Sequence, residues 1–277
     1  LTSLDLRNGN NTNITSFSST NNSNLLCVDV DNTSYSTTNW TNIDAWSVFS
    51  TNCSGTYGCT DSLACNYDSL ATIDNSSCLT DYGCTDPLAL NYDPTATCED
   101  SSCIYEMTFV PDSAFEAYLE ANGMGNNIIN DNHVLTININ TVITLSISSL
   151  NILDLTGIED FASLNSLYCD NNQITTLDLS QNTNLTILDC YENQLITLDV
   201  SGNGFLTNLN CRYNQLDTID ISNNTSLTYL DCSTNNIDNL NTTNNPELIY
   251  LYCRDNQLIN LNTSFNPNLL RLFCDEN

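Results

Sequence analysis

The sequence predicts a mostly β protein with many loops, whose C-terminal part is a solenoid of short, stacked parallel strands. The first observation is a 21-residue period between residues 164 and 277, marked by six cysteines. The second is that each cysteine lies in the same frame, L-x-x-L-x-C-x-x-N. A strict period with one frame predicts coils that stack on each other. The period is marked by Cys169, Cys190, Cys211, Cys232, Cys253 and Cys274.

Each predicted coil has an apolar interior on two sides. In the frame, two leucines and the cysteine alternate inward along a strand, and the asparagine binds backbone at the following turn. The cysteine acts there as a small hydrophobe. A second apolar triplet follows, as in Ile174, Leu177 and Leu179. This period and frame are typical of a leucine-rich repeat, so residues 164–277 are predicted to form a leucine-rich-repeat solenoid of 21-residue coils.

Residues 107–163 are predicted to form the N-terminal cap and the first coil of this solenoid. Apolar residues from Val142 onward indicate a first coil that is one position longer than those that follow. Upstream, Ser113 and Glu116 have the spacing of a capping box, and Gly123 supplies a stop. These signals predict a short amphipathic capping helix over residues 112–122.

Residues 1–53 are predicted to be the end of another, upstream repeat solenoid with its C-terminal cap. A repeat-like segment over residues 24–30 is predicted to be the last strand. Residues 31–53, which include Trp40 and Trp46, would then form the cap. Because the chain begins inside one predicted solenoid and ends inside another, we expect both ends to be internal positions of a longer protein.

Residues 54–106 contain two small cysteine-containing modules in tandem. The motif Y-G-C-T-D begins at Tyr57 and again at Tyr82. Units of this size cannot bury enough apolar surface to fold on their own. Disulfides or a metal ion must therefore hold them.

The charge of the chain excludes several classes of partner. Asp and Glu number 33 against four basic residues, and the net charge is -29. Such a chain repels nucleic acid and anionic lipid surfaces. No apolar stretch approaches the length of a membrane span, so membrane insertion is not predicted. Any export signal is expected outside these 277 residues.

Three motifs together resemble secreted proteins of marine Bacteroidota (flavobacteria). They are the G-C-T-D-x-x-A-x-N-Y-D module, the V-P-D-x-x-F-E sequence at residues 110–116 and the repeat L-x-C-x-x-N-Q-L. The motifs cover almost the whole chain. The resemblance implies export through the type IX secretion route, and a secreted or cell-surface location.

The resemblance also implies how the module cysteines pair. The fullest form of the module has four cysteines, and one of the four is replaced by Ile73 in the first module and by Leu90 in the second. Cys65 and Cys98 are left over, and they either pair with each other or stay reduced. Zinc ligation is the minor alternative, because no His lies nearby. The expected bonds are Cys59 with Cys78, Cys84 with Cys103 and, closing the cap, Cys27 with Cys53.

A calcium ion is one interpretation of the acidic residues in the modules. Calcium takes about six to eight oxygen ligands, which closely spaced carboxylates supply. The alternative is that these side chains form turns in a disulfide-held unit, since no D-x-D-x-D-G loop is present. No other cofactor is predicted. The candidate calcium ligands are Asp61, Asp68, Asp74, Asp86, Asp93 and Asp100.

Aromatic and basic residues collect on one face of the predicted solenoid. The outward positions of each strand lie on either side of the second leucine and just after the cysteine. They hold every Arg of residues 164–277 and six of its nine aromatic residues, which favours a binding face. The alternative is that aromatic residues simply prefer strands. The predicted face is Tyr168, Tyr191, Arg212, Tyr229, Tyr250, Tyr252, Arg254, Arg271 and Phe273.

The sequence predicts recognition rather than catalysis. It has one His, His133, and no G-x-S-x-G, H-E-x-x-H or phosphate-loop motif. We therefore expect a non-enzymatic module that binds an extracellular protein or polysaccharide through the strand face. The alternative is a structural spacer, or a surface-layer or filament component, which disulfides and calcium stiffen and which has no specific ligand.

Overall fold

The chain is mostly β, and its C-terminal part is the predicted leucine-rich-repeat solenoid. A computed structural model describes all residues from 1 to 277. Their contacts divide the chain into two compact units, Leu1–Ile104 and Tyr105–Asn277. The finer predicted division, with boundaries after residues 53, 106 and 163, stays a prediction. No helix combines the length and the apolar character that a membrane span requires.

The first unit begins with a parallel three-stranded sheet. The strands are β1 (Leu4–Asp5), β2 (Cys27–Asp29) and β3 (Val48–Ser50), and helix α1 (Thr33–Asn39) lies between β2 and β3 in the chain. The prediction that residues 24–30 form the last strand is wrong, because β3 pairs with β2 and adds another rung.

Helix α1 has no apolar periodicity in its sequence, TSYSTTN, and was not predicted. It is capped locally, because the side chain of Asn32 accepts a hydrogen bond from the backbone N–H of Tyr35 at 3.0 Å. Trp40 follows the helix and is buried against the ring of Phe17, with centroids 4.8 Å apart. Trp46 is 46% exposed, so only one of the two cap tryptophans belongs to the core.

Each of the two modules is built on one pair of two-residue parallel strands. The pairs are β4 (Tyr57–Gly58) with β5 (Ile73–Asp74), and β6 (Tyr82–Gly83) with β7 (Cys98–Glu99). Few apolar residues are buried here, so covalent bonds replace a core. The first unit has the disulfides Cys27–Cys53, Cys59–Cys78, Cys84–Cys103 and Cys65–Cys98. Three are the pairs expected above, and the fourth joins the two leftover cysteines.

The second unit begins with a cap of one antiparallel strand pair and two helices. These are β8 (Met107–Phe109), α2 (Ser113–Ala121), β9 (His133–Leu135) and α3 (Thr136–Ile139). The predicted helix is present, but the predicted capping box is not. The side chain of Asp112 caps α2, while the buried Glu116 accepts from the backbone N–H of Asn130 at 2.8 Å. Glu116 therefore fixes a loop and does not close the helix start.

Seven parallel strands then stack in register. Thr144 pairs with Ser166, and Ser166 pairs in turn with Ile187, so the strands follow each other at the spacing that the repeat predicts. The strands are β10 (Thr144–Ser146), β11 (Ser166–Tyr168), β12 (Ile187–Asp189), β13 (Asn208–Asn210), β14 (Tyr229–Asp231), β15 (Tyr250–Tyr252) and β16 (Arg271–Phe273).

The interior of the coils up to Ile221 is lined by both apolar triplets of the repeat, and in the next coil the buried Thr242 takes the last place of the second triplet. Leu164, Leu167 and Cys169 are fully buried, and so is Ile174 on the other side of the coil. One continuous core connects the coils with the ring of Phe115 in α2. Burial raises the pKa of the repeat thiols from Cys169 to Cys253, so these cysteines are protonated.

Asparagine side chains connect neighbouring coils at the turn after each strand. The Nδ2 of Asn172 donates to the carbonyls of Ile147 at 2.8 Å and Cys169 at 3.0 Å. Its Oδ1 accepts from the N–H groups of Leu150 and Ile152, both at 3.0 Å. The same position, called the asparagine ladder here, continues at Asn193, Asn214, Asn235, Asn256 and Asn277.

The burial of the repeat cysteines leads to a stability prediction. Cys211 is fully buried, so Cys211→Ser should lower the free energy of unfolding by about 1 to 3 kcal/mol, because a hydroxyl is costly to desolvate. Cys211→Ala should cost less, because it buries no unpaired hydroxyl. Urea denaturation of both variants measures this. Equal and negligible losses for both Cys211 variants would contradict the packing role.

Candidate binding face of the solenoid

The outward side chains of β11 to β16 form three columns. They come from the first and last residue of each strand and from the residue two positions after the strand ends. The central leucine, such as Leu167, is buried in β11 to β15, whereas Leu272 in β16 is 40% exposed. We call this surface the strand face. All nine residues predicted as ligand-binding lie in these columns. Their positions follow from the in-register stacking of the coils.

Four rings on β14 to β16 form one continuous group, called the aromatic cluster here: Tyr229, Tyr250, Tyr252 and Phe273. The ring of Tyr229 lies 5.6 Å from that of Tyr252 and 6.3 Å from that of Tyr250, between centroids. Tyr252 stacks on Phe273 at 5.2 Å, with planes 6° apart. Packed rings hold each other's orientation, so the cluster is a preformed surface.

Two arginines lie on this cluster. The guanidinium of Arg254 is 4.3 Å from the ring centroid of Phe273 and also forms an ion pair with Asp275 at 2.7 Å. Arg271 lies 5.6 Å from the ring centroid of Tyr250 and forms no ion pair. Both side chains are exposed. Arg271 therefore keeps its donors available to a ligand, and Arg254 keeps those that Asp275 does not use.

The polar floor under the cluster is shielded from water. Asp231 and Ser233 on the strand face are only 7% and 4% exposed, and the carboxylate of Asp231 accepts from the N–H of Ser233 at 3.0 Å. Burial, followed by the charge of Asp231, raises the pKa of Tyr229 to about 12. The Tyr229 hydroxyl therefore stays protonated and neutral in ordinary conditions.

The other predicted residues lie apart from the aromatic cluster. Arg212 packs on the ring of Tyr213, 4.4 Å from its centroid, and its Nη2 donates to the Tyr213 hydroxyl at 3.0 Å. Tyr213 occupies the turn before Asn214 with a left-handed φ of 52°, which directs its side chain outward. The charge of Asp170 raises the pKa of the nearby Tyr191. The nine residues are thus several groups rather than one patch.

A shallow depression of about 230 Å³ lies between Tyr168 and the aromatic cluster. Asp189 on its floor is half-buried, and burial is the main reason that the pKa of this carboxyl is raised. This floor was not predicted, because short polar residues on strands give no compositional signal. The depression is lined by Tyr168, Ile187, Leu188, Asp189, Asn208, Asn210 and Tyr229.

A column of three carboxylates, called the acidic column here, lies within the second apolar triplet of successive coils and takes part in turns. Asp178, Asp199 and Asp220 each accept from the backbone N–H two residues later, at 2.9 Å. These hydrogen bonds lower the pKa of all three carboxyls. Each carboxylate therefore has a backbone donor that offsets the repulsion from its neighbours in the column.

The structure does not gather the acidic residues predicted as calcium ligands. Asp61, Asp68, Asp74 and Asp93 each accept from the N–H two residues later, which is a turn role. Groups that could hold a metal include no cluster of these carboxylates. The one such group consists of Cys84, Glu99 and Cys103, whose two sulfurs are already joined in a disulfide. Asp86 and Asp100 cap turns in the same way.

Solved structures of other leucine-rich-repeat proteins are similar to this chain. The functional domain of InlJ from Listeria monocytogenes, described as including a cysteine ladder, is 30% identical, with a TM-score of 0.44 over 62% of this chain and 48% of that one. The internalin InlF of the same species is 26% identical, with a TM-score of 0.46 over 48% of this chain and 40% of that one. A leucine-rich-repeat protein of Leptospira interrogans is 28% identical, with a TM-score of 0.47 over 50% of this chain and 39% of that one.

The chain spans less than half the length of each of these three proteins. No protein-family model matches the sequence, and no curated protein matches it.

The half-buried carboxylate of the depression leads to a pH-dependent prediction. Because the pKa of Asp189 is raised, the folded chain tolerates its charge less well than the unfolded chain does. Asp189→Asn should therefore raise the melting temperature near neutral pH. The gain should vanish below the titration range of carboxyls, where Asp189 is protonated in both states.

The control for this prediction is Asp220→Asn. The pKa of Asp220 is lowered by hydrogen bonds from Ser222, so its charge is favourable in the folded chain and this substitution should bring no gain. Scanning calorimetry of both variants across pH measures the difference. A gain for Asp189→Asn that persists at acid pH would point to packing rather than charge.

Proposed function

We propose that the solenoid is a non-enzymatic recognition module that binds an extracellular polysaccharide carrying carboxylate or sulfate groups. The observation that carries the proposal is the aromatic cluster with exposed Arg254 and Arg271 beside it, on a chain of net charge -29. Tyr rings supply rigid area that stacks on sugar rings, and guanidinium groups bind anionic oxygens through paired donors.

The charge distribution supports an anionic ligand at this place. Elsewhere the chain repels anions, and Arg212, Arg254 and Arg271 are the only cationic side chains of residues 164–277. Arg271 lacks a carboxylate partner, so a ligand anion would not have to displace one. Rings that already hold each other in place lose little conformational entropy on binding.

An extracellular location is part of the proposal, and the disulfides support it. The first unit has four of them, and disulfides persist in oxidising compartments outside the cytosol. The motifs shared with secreted Bacteroidota proteins agree with this location.

A structural spacer is the second candidate function. It is favoured by the arrangement of the disulfides. Cys65 lies in the segment that Cys59–Cys78 closes, and Cys98 lies in the segment that Cys84–Cys103 closes. The three bonds together limit how far residues 59–103 can extend under load. A spacer needs no ligand, so this candidate predicts that substitutions on the strand face have no effect on binding or attachment.

The proposed binding is tested with the triple variant Tyr250→Ala, Tyr252→Ala and Arg254→Ala. Wild type should bind carboxylated or sulfated polysaccharides on a glycan array at physiological ionic strength, where repulsion from distant carboxylates is screened. The triple variant should bind at least about a hundredfold more weakly, since aromatic and arginine hot spots contribute about 2 kcal/mol or more. Circular dichroism verifies that it folds.

The matched control replaces Asp178, Asp199 and Asp220 in the acidic column with Asn, whose side-chain oxygen can still accept the turn hydrogen bond. This variant should keep wild-type binding. If the triple variant binds like wild type while the acidic-column variant loses binding, the strand face is the wrong surface. If the wild-type chain binds a protein but none of the glycans, the partner is a protein and not a polysaccharide.

A further inference from the structure

The two modules of the first unit repeat the same hydrogen bonds at equivalent positions. The N–H of Cys65 donates to the carbonyl of Leu79 at 3.1 Å, and the N–H of Leu90 donates to that of Ile104 at 2.8 Å. The cystines Cys59–Cys78 and Cys84–Cys103 both have Cα atoms 4.8 Å apart. Leu90 therefore stands at the place of Cys65.

The strand that closes each module shows the same equivalence. The N–H of Ile73 donates to the carbonyl of Thr56 at 3.1 Å, and the N–H of Cys98 donates to that of Asp81 at 3.0 Å. Ile73 therefore stands at the place of Cys98. We call the place of Cys65 and Leu90 the forward position, and the place of Ile73 and Cys98 the backward position.

The remaining disulfide crosses the boundary between the modules. It joins the forward position of the first module, Cys65, to the backward position of the second, Cys98, with Cα atoms 5.9 Å apart. The positions that lack a cysteine are Ile73, backward in the first module, and Leu90, forward in the second. No module precedes the first or follows the second next to it in the sequence.

We propose that the forward surface of each module is an interaction site for the backward surface of another module of the same kind, locked by one disulfide. Modules then join head to tail, and the residue at an unused forward or backward position is apolar. In this chain the coupling is used once, and the forward surface around Leu90, which is 71% exposed, is a site without its covalent partner.

A second contact follows the same direction. The hydroxyl of Tyr82 donates across the boundary to the carbonyl of Leu63 in the preceding module, at 2.7 Å. The equivalent hydroxyl in the first module, that of Tyr57, donates at 3.4 Å to the carbonyl of Cys53, which lies before that module. Each module therefore reaches backward through its tyrosine, and the second module does so through Cys98 as well.

The competing arrangement is a bond between the forward and backward positions of one module. The variant Leu90→Cys distinguishes the two, because it gives the second module both positions. The new thiolate can attack the Cys65–Cys98 bond, releasing the Cys65 thiol, in an exchange that needs no external oxidant. Head-to-tail coupling predicts that this exchange is unfavourable.

The experiment is alkylation and peptide mapping of the Leu90→Cys full chain, equilibrated in a glutathione redox buffer. Label at position 90 should exceed label at Cys65 by at least about tenfold, with Cys65–Cys98 recovered intact. Leu88→Cys is the matched control, since Leu88 is 64% exposed and lies two residues away but at no coupling position. Label at Cys65 in the Leu90→Cys chain would overturn the proposal.

A three-module chain tests the coupling directly. Residues 79–103 are repeated after Cys103, with Leu90→Cys in the first copy only. The cysteine at position 90 of the first copy can then form a disulfide with the backward cysteine of the second copy. Glutathione disulfide is the oxidant, and it accepts the two electrons and two protons that these thiols release. Peptide mapping should recover that bond, and with Leu88→Cys instead both thiols should stay free. Free thiols in both chains would show that the forward surface does not receive a module.

Discussion

Stacked coils leave backbone groups at the turn after each strand that no strand can pair, and burying one of them unpaired costs about 1 to 3 kcal/mol. The asparagine ladder satisfies these groups. Asn172 donates to carbonyls of its own and the preceding coil, and accepts from two N–H groups of the preceding coil. Because one side chain connects both coils, each coil is held at a fixed rotation relative to its neighbour. The positions of all outward side chains depend on this constraint.

In-register stacking puts residues that are one repeat apart in sequence side by side in space. That is why Tyr229 and Tyr250 meet, and why Arg271 continues their column. The same rule brings like charges together, as at Asp178 and Asp199. There the cost is offset by backbone N–H donors, which lower the pKa of both carboxyls. Neighbouring aromatic rings in a column stabilise each other, whereas each carboxylate in an acidic column needs a hydrogen-bond donor.

The period made most of the solenoid predictable, since a repeat of fixed length determines which residues face inward and which share a column. It could not show that Tyr168 stands apart from the aromatic cluster, because that depends on the short side chains of the coils between. Helix caps and apolar stripes predicted the helices less well. Asp112 competes with Ser113 for the same cap, and α1 has no apolar stripe. The bond of Cys65 depends on how two modules meet, which spacing within one module does not determine.

Fold and recognition are carried by different positions of the same coil. Leucines, cysteine and the ladder asparagine point inward and define the rung. The ladder contacts strand-face residues such as Arg212 and Arg254 only through their backbone carbonyls, so the side chains at these positions are free to vary. Since each coil contacts mainly its neighbours, a change in one outward residue remains local. The strand face can therefore acquire aromatic and cationic residues at modest cost in stability. The modules lack such a division, because their buried residues are few and cystines determine their shape. A cysteine at a surface position such as Leu90 would change which surfaces are joined only where a further module follows it.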